Sequence, residues 1–467
     1  MLRSHLLGIA LALLASTAAA QSAYRPVAGI DEESSPPIVA GYRAIFTCSA
    51  HFVANRPLDD IERVELSDTQ RYGFPRPEID AVRRIVISRD SAGTIERIAA
   101  YRPGMGCTLL PPEGRVKDVV RLPAVDPAPV PDVSALAFPA GERIDLPAAG
   151  VDPAYPKLHQ VLDHAFDGVS FVAPSGGVTT AVIVLHRGRV VAERYRPGFG
   201  PASGYRTWST SKSITAALAG IAAGEGLIDL DAPLHLAEWS EKADPRRAIT
   251  PRHLLWMSSG LHSGGSNSAA VYFGGQDVES AATSGALEVP PGTRWKYANN
   301  DTLLLALALR RSLQDDARYL RYPYERLLHR IGMVHTVMET DHRGNFIASS
   351  QTYTTARDLA RFGLLLQQDG RWAGQRVLPA GWVRFLTTPA PTKPPVDGEW
   401  GYGAQFWLLD RMPGVPRGTF TTAGRKGQYV TVVPGHELVI VRTGVDPEGV
   451  QFRQEQLTAA VVDAFTP

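Results

Sequence analysis

The sequence predicts an α+β fold, because apolar runs of strand length stand near both ends of a long segment and helical patterns fill its middle. Near the start of that segment, Ala181 to Leu185 and Val190 to Ala192 flank the turn His186-Arg187-Gly188-Arg189, the mark of a hairpin. Near its end, Tyr402 to Leu408, Gln428 to Val433 and Leu438 to Val441 read as strands. This order implies a sheet closed by its N- and C-terminal segments.

In chain order, residues 1–20 carry Arg3 and His5, the apolar run Leu6 to Leu14, then Ser16, Thr17 and three alanines. Such a pattern is expected of a secretory signal cleaved after Ala20, since the run is too short to span a bilayer as an anchor. The mature chain is therefore expected in the periplasm or outside the cell, with no stable membrane span. Its two cysteines, Cys48 and Cys107, are expected to form one disulfide in that oxidising setting, the alternative being two buried thiols. Residues 21–147 are proline-rich, with short apolar stretches at Ile85 to Ile87 and Val119 to Leu122, and read as a β-leaning extension. Pro127, Pro129, Pro131 and Pro139 favour extended backbone and suggest a linker, placing the start of the main domain at residue 148 and its end at 467.

Within that domain, Leu158, Val161, Leu162 and Phe166 recur at helical spacing before the hairpin. Ile214 to Ala223 forms an apolar, alanine-rich helix that ends at Gly224 and Gly226. Helices are also predicted at Arg252 to Met257, Asp301 to Leu313 and Ala356 to Gln368, with a last one around Leu457 to Phe465.

Composition narrows the function. The 467 residues carry 48 Lys and Arg against 47 Asp and Glu, a balance with no footprint for gripping nucleic acid. No His-Glu-x-x-His helix or close Cys/His cluster is present, so no metal and no cofactor is called for. No Gly-x-Ser-x-Gly elbow occurs either. Oligomeric state is not legible.

Three short segments carry chemistry. In Ser209-Thr210-Ser211-Lys212, a hydroxyl and an amine stand three residues apart at the start of the apolar helix, on one face of its first turn. The helix dipole favours negative charge developing on Ser209, and an amine shifted down about three units by burial can take its proton at neutral pH. Next, Tyr297-Ala298-Asn299 offers a phenol that can relay that proton and an amide that can hydrogen-bond a substrate carbonyl. Last, Thr422-Ala423-Gly424-Arg425 leads into a strand, and its small residues leave room for substrate along the strand edge. Backbone N–H groups of Ser209 and Arg425 are expected to form an oxyanion hole. Tyr272, in Val271-Tyr-Phe-Gly-Gly275, is a candidate border of the substrate pocket, and His262, in a glycine- and serine-rich loop, is a weaker candidate for a catalytic histidine, a place in a loop flanking the cleft being the favoured reading.

In order and context these segments resemble the Ser-x-x-Lys, Tyr-x-Asn and Lys-Thr-Gly motifs of the serine β-lactamase and penicillin-binding superfamily. The nearer likeness is to its class C branch, with the carboxylesterases and 6-aminohexanoate-dimer hydrolases, over about residues 150 to 465. That resemblance implies a β-lactamase/transpeptidase-like fold, an antiparallel sheet flanked by helices plus an all-helical region. It implies Ser209 as nucleophile, Lys212 and Tyr297 as general base and acid, and Asn299, with Thr422 and Gly424, as substrate-holding residues. One departure stands out: Thr422 occupies the position where the family carries a cation that meets a β-lactam carboxylate. The expectation is therefore a serine hydrolase acting on a small ester or linear amide. A β-lactamase or D-amino-acid carboxypeptidase and a catalytically silent binding protein are the alternatives.

Overall fold

The structure, a computed structural model, describes residues 35–263 and 265–465. The predicted signal segment lies outside these residues. Seven antiparallel strands form the central sheet, in the order Gly401–Tyr402, Trp407–Leu408, Phe420–Gly424, Gln428–Val433, Leu438–Gly444, Thr179–His186 and Arg189–Tyr195. The predicted closure is present, with Leu438 paired to His186 and Ile440 to Val184.

Side chains alternate across these strands and so feed two cores. Ile183, Leu185, Val430, Val432, Val439 and Val441 share one core with the helices Thr210–Gly224 and Ala356–Gln367. On the other face, Val182, Val184, Tyr429, Val433 and Ile440 pack with the helices Leu158–Phe166 and Gln454–Ala464. The stretch read as one strand, Tyr402 to Leu408, is two short strands joined by a turn. Gln405 there adopts φ 63°, a left-handed conformation that breaks the extended run.

Residues before 148 are more helical than the sequence suggested. Pro36 opens a helix that runs to Cys48, because proline's fixed φ suits a first helical position. Val39, Tyr42 and Phe46 of that helix are buried, and it covers a four-stranded antiparallel sheet running from Glu78 to Leu109. Val116–Arg121, read as β-leaning, is a 3₁₀ turn. Cys48 and Cys107 are joined in a disulfide. Far from standing apart, the helix contributes Val39, Tyr42 and Phe46 to the core that includes Ile214 and Leu218. The proline-rich stretch is likewise tied down: the carbonyls of Pro129 and Pro139 accept from His329 Nδ1 and Arg361 Nε. No helix among the described residues is long and apolar enough to cross a membrane.

Candidate active site

Ser209 caps the helix Thr210–Gly224 and remains partly accessible. Immediately before it, Trp208 has φ 49°, a left-handed conformation that costs on the order of 1–3 kcal/mol for a residue with a side chain. Surrounding contacts hold it there. The Thr207 N–H donates to the Thr352 carbonyl at 2.8 Å, and the Trp208 ring lies 5.5 Å from Phe46 and 4.5 Å from the Arg206 guanidinium. This turn sets Ser209 at the helix N-terminus, where the dipole favours negative charge.

One turn on, Lys212 is 1% exposed. Its Nζ lies 3.0 Å from Ser209 Oγ and 2.8 Å from the Ser349 carbonyl oxygen. Burial pushes this amine well below the ordinary lysine pKa, because the ammonium form loses its hydration. No carboxylate forms an ion pair with it among the described residues. A carbonyl oxygen only accepts, so Nζ donates to Ser349. In its neutral form, which burial favours, the amine has a lone pair that can receive the hydroxyl proton of Ser209.

Tyr297 brings its ring to 5.1 Å from Lys212 Nζ. It stacks on Trp407 at 5.6 Å and meets Tyr402 edge-on at 6.0 Å, an arrangement that fixes the plane of the phenol. Its flanks are pinned to one residue, since the Lys296 N–H donates to the Met257 carbonyl at 2.9 Å and the Ala298 N–H to its Sδ at 3.4 Å. Asn299 opens the helix Asn299–Leu313, and its side-chain amide donates to Ser268 Oγ. Two residues further, Asp301 is fully buried and accepts from Ser259 Oγ at 2.7 Å. Burial raises its carboxyl to about 7.

The third segment forms the strand Phe420–Gly424 beside the Ser209 helix. Thr422 Oγ1 accepts from Thr210 Oγ1 and from the Val430 N–H, each at 3.0 Å, so its oxygen joins strand and helix. Gly424 is demanded by close approach: a Cβ there would stand 2.1 Å from the Thr207 carbonyl oxygen. The cations that follow both meet carboxylates. Arg425 reaches Glu448 at 3.3 Å while lying 5.7 Å from the Trp208 ring, and Lys426 Nζ is 2.7 Å from Asp68.

Tyr272 ends the helix Gly265–Tyr272 and is buried. It is 5% exposed, and its hydroxyl lies 2.5 Å from Oγ of Ser349, the residue whose carbonyl holds Lys212. His262 pairs with Glu288 at 2.6 Å on the surface. Among the described residues, no group of His, Cys, Asp or Glu could hold a metal ion.

Several contributors carried no sequence signal. Ser349 acts through its backbone carbonyl, Trp208 through an unusual φ, and Asp68 through a pairing made only in the fold. The Trp407 and Tyr402 support for Tyr297 was readable only as strand hydrophobicity.

A sequence model of the beta-lactamase family matches residues 170–461, more than half of the chain. The 6-aminohexanoate-dimer hydrolase of Paenarthrobacter ureafaciens is 25% identical over 293 residues, covering 58% of this chain and 73% of that protein. Two solved structures share the fold. One is a Bacillus anthracis protein named by likeness as a 6-aminohexanoate-dimer hydrolase, with TM-score 0.52 and 23% identity over 61% of this chain and 78% of that one. The other is a family VIII carboxylesterase, with TM-score 0.53 and 15% identity over 68% and 98%.

Proposed function

The chain belongs to the beta-lactamase family of serine hydrolases, and from that premise we propose that it cleaves a small ester or linear amide through an acyl-enzyme on Ser209. The observation that carries the reading is the 3.0 Å approach of the buried Lys212 amine, whose pKa burial holds well below that of an ordinary lysine, to the Ser209 hydroxyl. Lys212 takes the proton as Ser209 Oγ attacks the carbonyl carbon. Tyr297, beside the amine, passes a proton to the departing alcohol or amine. The backbone N–H groups of Ser209 and Arg425 face the oxyanion, each such donor contributing roughly 3–4 kcal/mol to transition-state stabilisation. Asn299 and the Thr422–Gly424 strand hold the substrate. Water then hydrolyses the acyl-enzyme, with the same residues returning the protons in reverse order.

The choice of ester or linear amide over β-lactam rests on the third segment. Thr422 replaces a cation, its hydroxyl is already bonded within the protein, and the neighbouring cations sit on carboxylates. Residues 1–20 serve as an export signal and residues 148–467 as the hydrolase domain, a location in keeping with the Cys48–Cys107 disulfide. Comparing turnover of a short-chain nitrophenyl ester, a linear amide dimer and a β-lactam tests the proposal. Ester or linear amide turnover that dominates supports it, and preferred β-lactam turnover or none at all contradicts it.

A further inference from the structure

The N-terminal segment meets the turn that follows the strand Phe420–Gly424 through charge. Asp68 lies in the 3₁₀ turn Ser67–Tyr72, far in sequence from any site residue, yet its carboxylate stands 2.7 Å from Lys426 Nζ. The side chains are 8% and 5% exposed. Lys426 belongs to the turn that follows Gly424, where φ values of 60° at Lys426 and 86° at Gly427 hold a tight reversal. A second tie runs alongside, with Arg71 at 3.7 Å and Arg425 at 3.3 Å from Glu448. Phe46 of the same N-terminal segment packs on Trp208, next to Ser209.

Consider what an incoming carboxylate would meet on this side of the site. The fold's usual cation is absent at Thr422, Arg425 is shared between Glu448 and the Trp208 ring, and Lys426 is cancelled by Asp68. Because the pair is shielded from water, its charges are weakly screened and removing either one changes the local potential. Resting on the hydrolase reading given above, we propose that Asp68 is a specificity-determining residue: by neutralising Lys426 it sets the preference for uncharged over carboxylate-bearing substrates. The N-terminal segment is then part of substrate selection.

The test compares kcat/KM for two nitrophenyl esters of similar size, the neutral butyrate and the singly charged glutarate half-ester. Asp68→Asn unmasks Lys426 and should raise the ratio of charged to neutral turnover about fivefold or more, the effect of roughly one charge pair's interaction. Lys426→Gln leaves Asp68 uncompensated and should lower the ratio by a similar factor, while the double variant, with neither charge, should return it near the wild-type value. If Asp68→Asn does not fold, a lowered ratio in Lys426→Gln still decides. Equal losses on both esters, with the ratio unmoved, would mean a purely structural pair and overturn the proposal. Wild-type protein that turns over neither ester would instead overturn the hydrolase reading, and this inference with it.

Discussion

Lys212 Nζ is held 3.0 Å from Ser209 Oγ by a helix whose first turn carries both residues, and 2.8 Å from the Ser349 carbonyl. The two contacts divide the work of the nitrogen. The carbonyl can only accept, so it takes an N–H, and the hydroxyl can exchange a proton with the amine in either direction.

The first prediction concerns pH. Burial lowers the Lys212 pKa, so the amine is neutral above that lowered value and protonated below it. Activity should therefore rise with pH through the lowered value and level off before pH 10.5, the ordinary value for lysine. A pH profile of kcat/KM checks this; a profile still rising at pH 10.5 would show an unshifted lysine.

The second concerns the proton relay. Lys212→Ala and Tyr297→Phe should each lower the acylation rate about 10²- to 10⁴-fold. Because the two act on one proton, the double variant should lose scarcely more than the worse single variant. Pre-steady-state acylation rates of the three proteins decide between this and independent, multiplying losses.

The third follows from the contact of Gly424 with Thr207. A methyl group at 2.1 Å from the Thr207 carbonyl oxygen must push the strand from the Ser209 helix. Gly424→Ala should cost about 1–3 kcal/mol of stability and lower kcat as well. Chemical denaturation and kinetics on the same variant measure both.

The fourth concerns Asp301, whose carboxyl is raised by burial from 3.8 to about 7. An acid with a raised folded pKa stabilises the fold in its protonated form. Its contribution is present below the unfolded value, falls as pH rises from about 4 to about 7, and stays lost above. Asp301→Asn should flatten that decline by on the order of 2–4 kcal/mol. Part of the slope should persist, since Glu339, buried beside the disulfide, is also raised to about 7. Denaturation midpoints at pH 5 and pH 8 provide the comparison.

The sequence disclosed what is local. Ser209 and Lys212 were readable because a helical turn brings residues three apart onto one face, and the hairpin Thr179–His186 with Arg189–Tyr195 because its apolar runs are continuous. The helix Pro36–Cys48 was hidden by flanking prolines, although Pro36 itself marks a helix start. Pairings across the chain left no trace. Asp68 reads as one more solvated charge until the fold sets it against Lys426, and the Ser349 carbonyl has no side-chain signature at all.

The most direct test of the central claim is intact-mass spectrometry after exposure to a fluorophosphonate, with peptide mapping of the product. The account predicts a single adduct on Ser209, lost in Ser209→Ala while that variant's thermal stability stays nearly unchanged. A folded wild-type protein that takes no adduct, or takes it on another residue, would contradict the assignment of Ser209 as an activated nucleophile.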